Sequence, residues 1–237
     1  MLSDLRSNFS VVNEIFQEAS DAINVDLWKI INEDQEFLNL TENTQPVMLA
    51  AGYATYKVLA SEINLMPISI AGHSLGEYTA LVTSGSLGFF DAVQLVRKRA
   101  ELMQAAVPNG SGSMAAILGL DDARVIEICS IANEIGVVEA VNFNSPGQVV
   151  IAGEKNAVAH ACELMKEAGA KRALVLPVSV PSHCSLMKDA AMDFKHSVET
   201  INFQMGSEKV LHNVDANYSS NIEEIKSKLV EQLHKPV

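Results

Sequence analysis

An apolar run, Met66 to Ala71, leads directly into Gly72-His73-Ser74-Leu75-Gly76, and a helical pattern starts at Glu77. This G-x-S-x-G spacing between a strand and a helix requires a sharp turn, which the glycines permit. Strand, turn and helix in that order belong to a layered α/β fold, and the turn lifts the Ser74 hydroxyl to a helix N-terminus. There, main-chain N–H groups and the helix dipole can stabilise an oxyanion. A plainer alternative is a glycine-rich turn whose serine only caps the helix.

The rest of the chain reads as alternating helices and strands. Phe9, Val12, Ile15, Phe16, Ala19 and Ile23 share one helical face. Pro46 is expected to open a second helix, running to about Ile63, because proline is favoured in a first turn. A further helix is expected from Asp91 to Val107. The breaker cluster Pro108-Asn109-Gly110-Ser111-Gly112 then marks a boundary. Beyond it the pattern gives strand 113–118, helix 121–134, strand 137–143, a turn at 144–147, strand 148–152, helix 154–168 and strand 171–178. That is the β-α-β-β-α-β order of a ferredoxin-like unit. The expected organisation is an α/β core of residues 1–110 and 182–237 with a ferredoxin-like subdomain, 111–181, inserted into it. A helix near 185–200, a strand near 210–214 and a helix near 221–234 complete the core.

A parallel sheet ordinarily begins with a strand that feeds its first helix, and nothing before Ser10 reads as one. The chain also stops at Lys235-Pro236-Val237, soon after a helix. Both ends are therefore read as early, as in a chain truncated at each terminus.

Composition narrows the function. The 237 residues carry 17 Lys and Arg against 29 Asp and Glu, a net charge of −12, which is the wrong sign for a general nucleic-acid binder. Cys129, Cys162 and Cys184 are odd in number and form no CxxC, so neither a disulfide framework nor a metal site is expected, and a cytoplasmic setting fits. No run approaches the roughly 18 apolar residues of a membrane helix. A monomer without metal or redox cofactor is the expectation.

A serine nucleophile needs a base. Of six histidines, His73 adjoins Ser74 and points away from it, His160 and His196 fall on helices read as surface, and His212 and His234 suit structural roles. His183 follows Val178-Ser179-Val180-Pro181-Ser182, a stiff exit from the last strand of the insert. A lone histidine is nonetheless more often structural than catalytic. Arg97, Lys98 and Arg99 are consecutive, so on a helix they point about 100° apart and cannot share a role. Arg99 flanks the stripe Val93, Val96, Ala100, Met103 and Val107, where a guanidinium serves either an internal partner or a bound carboxylate. Cys184 is discounted as a nucleophile because it diverges from its neighbour His183 and free cysteine is common in cores. Asn142 to Gln148 suits a strand-turn-strand connection.

Several ordered segments together carry a family resemblance. They are Ala71 to Tyr78, the Arg99 helix, Asn142 to Gln148, Val178 to Cys184, and Gln232-Leu233 through Pro236-Val237. On these the chain resembles the malonyl-CoA:acyl carrier protein transacylases of bacterial fatty acid synthesis over nearly its whole length. The resemblance implies a hydrolase-like parallel-sheet core with a ferredoxin-like insert. It implies Ser74 as nucleophile, His183 as base, Arg99 as holder of the malonyl carboxylate and the Leu75 N–H as oxyanion donor. The histidine would be oriented by the main-chain carbonyl of Gln232 instead of an aspartate. Two departures stand out: the family's opening strand with its Gly-Gln-Gly-Ser-Gln motif is absent here, as are its last strand, glycine-rich turn and final helix.

The expected activity is a two-step exchange in which Ser74 takes malonyl from malonyl-CoA and the phosphopantetheine thiol of acyl carrier protein receives it. Lys171, Arg172, Lys188 and Lys195 are candidates for docking that acidic partner. An esterase or thioesterase on the same turn, with water as acceptor, and a noncatalytic fragment are the competing readings.

Overall fold

The computed structural model describes residues 2–33, 35–108, 110–178 and 180–237. Asn109 of the breaker cluster and Ser179 of the run before His183 lie outside the described residues.

In chain order the elements are α1 (Ser3–Asn8), α2 (Ser10–Ile23), α3 (Leu27–Glu33), α4 (Gln35–Leu38), α5 (Thr41–Glu62), β1 (Ser69–Ala71), α6 (Gly76–Thr83) and α7 (Phe89–Ala105). Then follow β2 (Gly112–Leu118), α8 (Asp122–Ala132), β3 (Val138–Ser145), β4 (Gln148–Glu154), α9 (Lys155–Glu167) and β5 (Arg172–Val175). A 3₁₀ turn at Ser185–Met187 precedes α10 (Lys188–Thr200), β6 (Lys209–Leu211) and α11 (Ile222–Gln232). The chain divides into two compact units: residues 1–101 with 196–227, and residues 102–195 with 228–237.

In the first unit the apolar face of α2, with Val12, Ile15, Phe16 and Ala19 all buried, packs against α5, which buries Val47, Leu49, Ala50, Ala54 and Val58. Each Val, Leu, Ile or Phe among them withdrawn from water contributes roughly 1.5–3 kcal/mol, and each Ala less. The helix expected to open at Pro46 begins five residues earlier, at Thr41, with Pro46 buried inside it. Pro46 has no N–H, so it cannot serve the carbonyl of Glu42 four residues back. Arg97 Nη1 donates to that carbonyl at 3.1 Å and to Asn43 Oδ1 at 2.7 Å, so the helix continues through the proline.

The strand expected over Met66–Ala71 is confined to Ser69–Ala71, which pairs in parallel with β6 in the register Ser69↔Lys209, Ile70↔Val210, Ala71↔Leu211. Met66 and Ile68 precede the pairing and are 81% and 94% exposed. Because the two strands run parallel, their carboxyl ends lie side by side. That edge is where open α/β sheets place their ligands.

The second unit contains a four-stranded antiparallel sheet in the order β3-β4-β2-β5, with α8 and α9 packed on it. This is the strand order of a ferredoxin-like β-α-β-β-α-β unit. Alternate residues feed two cores. Ala115, Ile117, Val138, Ala140, Val149 and Ile151 face the helices, while Met114, Val141, Val150 and Ala152 face the other way and bury Cys184. The expected turn over 144–147 is a tight hairpin with Pro146-Gly147 at its tip, where Gly147 at φ 75° supplies the left-handed position. The expected strand 171–178 shortens to Arg172–Val175.

Candidate active site

The turn after β1 is built on close approach. A Cβ placed on Gly72 would lie 2.0 Å from the carbonyl oxygen of Gly76, so no other residue fits; a Cβ on Gly76 would meet nothing within 4 Å. Of the two glycines of the motif, only Gly72 is demanded by this packing. Ser74 then takes φ 52°, a left-handed conformation that costs a non-glycine residue on the order of 1–3 kcal/mol and that clusters at functional sites. Hydrogen bonds from Gly76 N to His73 O at 2.8 Å and from Glu77 N to Ser74 O at 3.0 Å close the turn into α6. The Leu75 N–H comes just before these bonds, at the start of α6, among the orphan donors of a helix N-terminus.

Two long-range contacts hold this bend. The Ser74 N–H donates to Asn213 Oδ1 at 2.6 Å, and Asn213 Nδ2 donates to the Gly72 carbonyl at 2.8 Å. The Asn213 N–H in turn donates to Glu77 Oε2 at 3.0 Å, and His212 Nδ1 lies 2.7 Å from Glu77 Oε1. Glu77 and His212 are both buried.

Arg99 projects from α7 into the interior and is 2% exposed. Its Nη1 donates to Gln45 Oε1 at 2.7 Å, and its Nη2 lies 3.4 Å from Ser74 Oγ. The guanidinium carbon sits 5.5 Å from the centre of the Tyr78 ring, a cation–π distance. Burial pulls the Arg99 pKa down from its ordinary value, while the neighbouring Tyr78 and Glu77 hold it up. An arginine stays protonated under such opposing influences, so a positive charge faces the serine oxygen. The three consecutive cations part as expected: Arg97 binds Glu42, Asn43 and Glu101, Lys98 is exposed, and Arg99 alone turns inward.

In the second unit, His183 also has a left-handed backbone, φ 67°, and is 2% exposed. Its N–H donates to the Leu233 carbonyl at 3.0 Å, and its Nδ1 lies 2.6 Å from the main-chain oxygen of Gln232. A carbonyl can only accept, so Nδ1 carries the proton and Nε2 is left as the acceptor. That is the tautomer a general base needs. The adjacent Cys184 is fully buried, and burial pushes its thiol up to about 12, which makes it a poor nucleophile.

The structure thus brings Ser74 together with Arg99, and His183 with the Gln232 carbonyl. His73, His160 and His196 lie at the surface or only partly buried. The sequence alone does not single out Gln45 or Asn213, and it gives Glu77 and Tyr78 no role beyond their place in the segment Ala71 to Tyr78. Asn213 had a usable signal, because it stands two residues beyond β6 just as Ser74 stands three beyond β1, at the same carboxyl edge. Among the described residues no group of three or more His, Cys, Asp or Glu side chains could hold a metal ion. No helix among them is long and apolar enough to cross a membrane.

Known proteins resemble this chain in sequence and fold. A profile for the family described as the acyl transferase domain matches residues 8–228. The malonyl CoA-acyl carrier protein transacylase of Haemophilus influenzae is 52% identical over 239 residues, covering all of this chain and 77% of that protein. A malonyl-transacylase solved in complex with its type II PKS acyl-carrier protein superposes with a TM-score of 0.97 at 48% identity, over 100% of this chain and 77% of its own. The corresponding transacylase of Coxiella burnetii gives a TM-score of 0.98 at 42% identity, over 100% of this chain and 75% of its own.

Proposed function

The chain belongs to the acyl transferase domain family, as a malonyl CoA-acyl carrier protein transacylase, and on that premise we propose how its own residues carry the transfer. It is an acyltransferase that moves a malonyl group from coenzyme A to acyl carrier protein, and we take this transfer to feed fatty acid synthesis. The observation that carries the assignment of residues is the 3.4 Å approach of a buried guanidinium to the oxygen of a strained serine on a strand-to-helix bend.

In the proposed first step, Ser74 Oγ attacks the thioester carbonyl of malonyl-CoA and its proton passes to His183 Nε2. The tetrahedral oxyanion accepts from the Leu75 N–H. The carbon–sulfur bond breaks, coenzyme A leaves with the proton from the imidazolium, and malonyl remains as an ester on Ser74. The phosphopantetheine thiol of acyl carrier protein then gives its proton to His183 and attacks that ester, and Ser74 Oγ is reprotonated as it leaves. The Gln232 carbonyl holds the Nδ1 proton of His183 throughout, so Nε2 is the nitrogen that takes up and returns the transferred proton. Arg99 receives the free carboxylate of malonyl, which favours this substrate over a neutral ester or acyl group.

No step in this scheme calls on a metal or redox cofactor. We take the protein to act as a monomer in the cytoplasm. The exposed Lys171, Arg172, Lys188 and Lys195, all in the second unit, are proposed to guide the acidic carrier protein. We divide the chain into the acyltransferase core of 1–110 with 182–237 and the ferredoxin-like subdomain of 111–181, a division supported by the β-α-β-β-α-β elements falling between Gly112 and Val175.

Intact-mass measurement after mixing with malonyl-CoA tests the assignment. A malonyl adduct should form on the wild-type chain and vanish in Ser74→Ala; an adduct that persists in that variant removes Ser74 from the mechanism.

A further inference from the structure

We propose that Asn213 is a positioning residue for the nucleophile, its side-chain carboxamide extending the β1–β6 ladder past its last main-chain rung to hold Ser74 in its left-handed conformation. The paired register ends at Ala71↔Leu211. Beyond that point the main chain of the first strand bends into the turn and can no longer meet its neighbour. The Asn213 side chain takes over with a peptide-like pair of bonds, accepting from the Ser74 N–H at 2.6 Å and donating to the Gly72 carbonyl at 2.8 Å. It thereby fixes the two sides of His73, the span over which the chain reverses.

Asn213 is itself held from the other end of the turn. Its own N–H donates to Glu77 Oε2 at 3.0 Å, and the preceding residue, His212, donates through Nδ1 to Glu77 Oε1 at 2.7 Å. Glu77 and His212 are 0% and 2% exposed, so water does not compete for these bonds. The residue before the bend, the nucleophile and the first turn of α6 are thus all tied to residues 212 and 213. Two consequences follow for the reaction. The Ser74 N–H is engaged with Asn213 and is not offered to an oxyanion, which leaves that role to Leu75. And Ser74 Oγ keeps its distance from Arg99 only while the backbone at 74 stays left-handed.

This inference rests on Ser74 being the nucleophile, and the test separates the two. Hydrogen exchange at the Ser74 amide reads the clasp whether or not the serine is acylated. In Asn213→Ala that amide should exchange roughly tenfold or more faster, with neighbouring helix amides unchanged. The maximum rate of acylation by malonyl-CoA should fall about 10- to 100-fold, with the concentration for half-maximal rate changed by less than about threefold, because the carboxylate grip of Arg99 is untouched. Asn213→Asp retains the acceptor oxygen and should keep the Ser74 amide protected while losing the bond to Gly72, giving an intermediate rate. It also carries the test if the alanine variant does not fold. Wild-type protection of the Ser74 amide in Asn213→Ala, or wild-type acylation with the clasp gone, would overturn the proposal. So would an aspartate variant as exposed to exchange as the alanine one. A malonyl adduct surviving Ser74→Ala would instead remove the nucleophile and leave the exchange result standing.

Discussion

Gln45 Oε1 accepts from Arg99 Nη1 at 2.7 Å, although the two residues lie 54 positions apart, and both side chains are buried. A neutral carboxamide fixes the orientation of the guanidinium without cancelling its charge. This bond therefore sets the direction of the guanidinium and leaves its charge unneutralised by Gln45, as the proposed grip on a malonyl carboxylate requires.

From that pairing, Arg99→Ala should lose about 2–4 kcal/mol of transition-state binding, read as a roughly 30- to 1,000-fold fall in kcat/KM for malonyl-CoA. Acylation by acetyl-CoA, which has no carboxylate to pair, should fall much less or rise. Single-turnover rates with both thioesters decide the point. Equal losses on the two substrates would mean that Arg99 serves the fold and not selection.

The two glycines of the turn should behave differently. Gly72→Ala forces a Cβ to within 2.0 Å of the Gly76 oxygen, and relieving that overlap by moving backbone should cost about 1–3 kcal/mol or more, seen as a lowered denaturant midpoint. Gly76→Ala places its methyl in open space and should leave the midpoint nearly unchanged. A destabilised Gly76→Ala would show that the turn is constrained by something other than this contact.

Arg97→Ala should destabilise the protein by about 1–3 kcal/mol, since it strips the donor from the Glu42 carbonyl that Pro46 leaves unserved. Lys98→Ala, on the exposed side of the same helix, should stay within about 0.5 kcal/mol of wild type. Restoring an N–H with Pro46→Ala in the Arg97→Ala background should recover part of the loss, which urea denaturation of the double variant would reveal.

Stability should decline in alkali. Burial pushes the thiols of Cys129 and Cys184 from an ordinary 9.0 up to about 12 in the folded protein. Between those values the unfolded chain releases protons that the folded chain keeps. Stability from these groups is therefore full below pH 9 and is lost as pH rises towards 12, by up to about 1.4 kcal/mol per pH unit for each thiol. Denaturation midpoints followed from pH 8 to pH 10.5 should fall, and less steeply in Cys184→Ala. An identical slope in that variant would exclude its thiol as a source.

The parts of this site that were legible in the sequence are those encoded locally. Gly72 to Gly76 sits between an apolar run and a helical pattern, and its meaning survives without knowledge of the rest of the chain. The two apolar faces of β4, Val149 with Ile151 and Val150 with Ala152, likewise follow from strand alternation. Asn213 was not legible, because its importance lies in a contact across 139 positions and an asparagine after a strand looks like any turn residue. The start of α5 was misread for the same reason. Local preference puts proline in a first turn, whereas the Glu42 carbonyl that Pro46 cannot serve is met by Arg97, 51 positions beyond Pro46. Arg99 lay between these extremes: its place beside an apolar stripe was visible, and its choice of Gln45 as partner was not.

The positive φ of Ser74 also bears on how such a protein withstands heat. Glycine tolerates that backbone region freely, whereas serine is held there by surrounding bonds. If Ser74 is the nucleophile, as proposed, glycine in its place would relieve the bend of a standing strain and remove the reactive oxygen with it. Durability and reactivity would then draw on the same torsion angle.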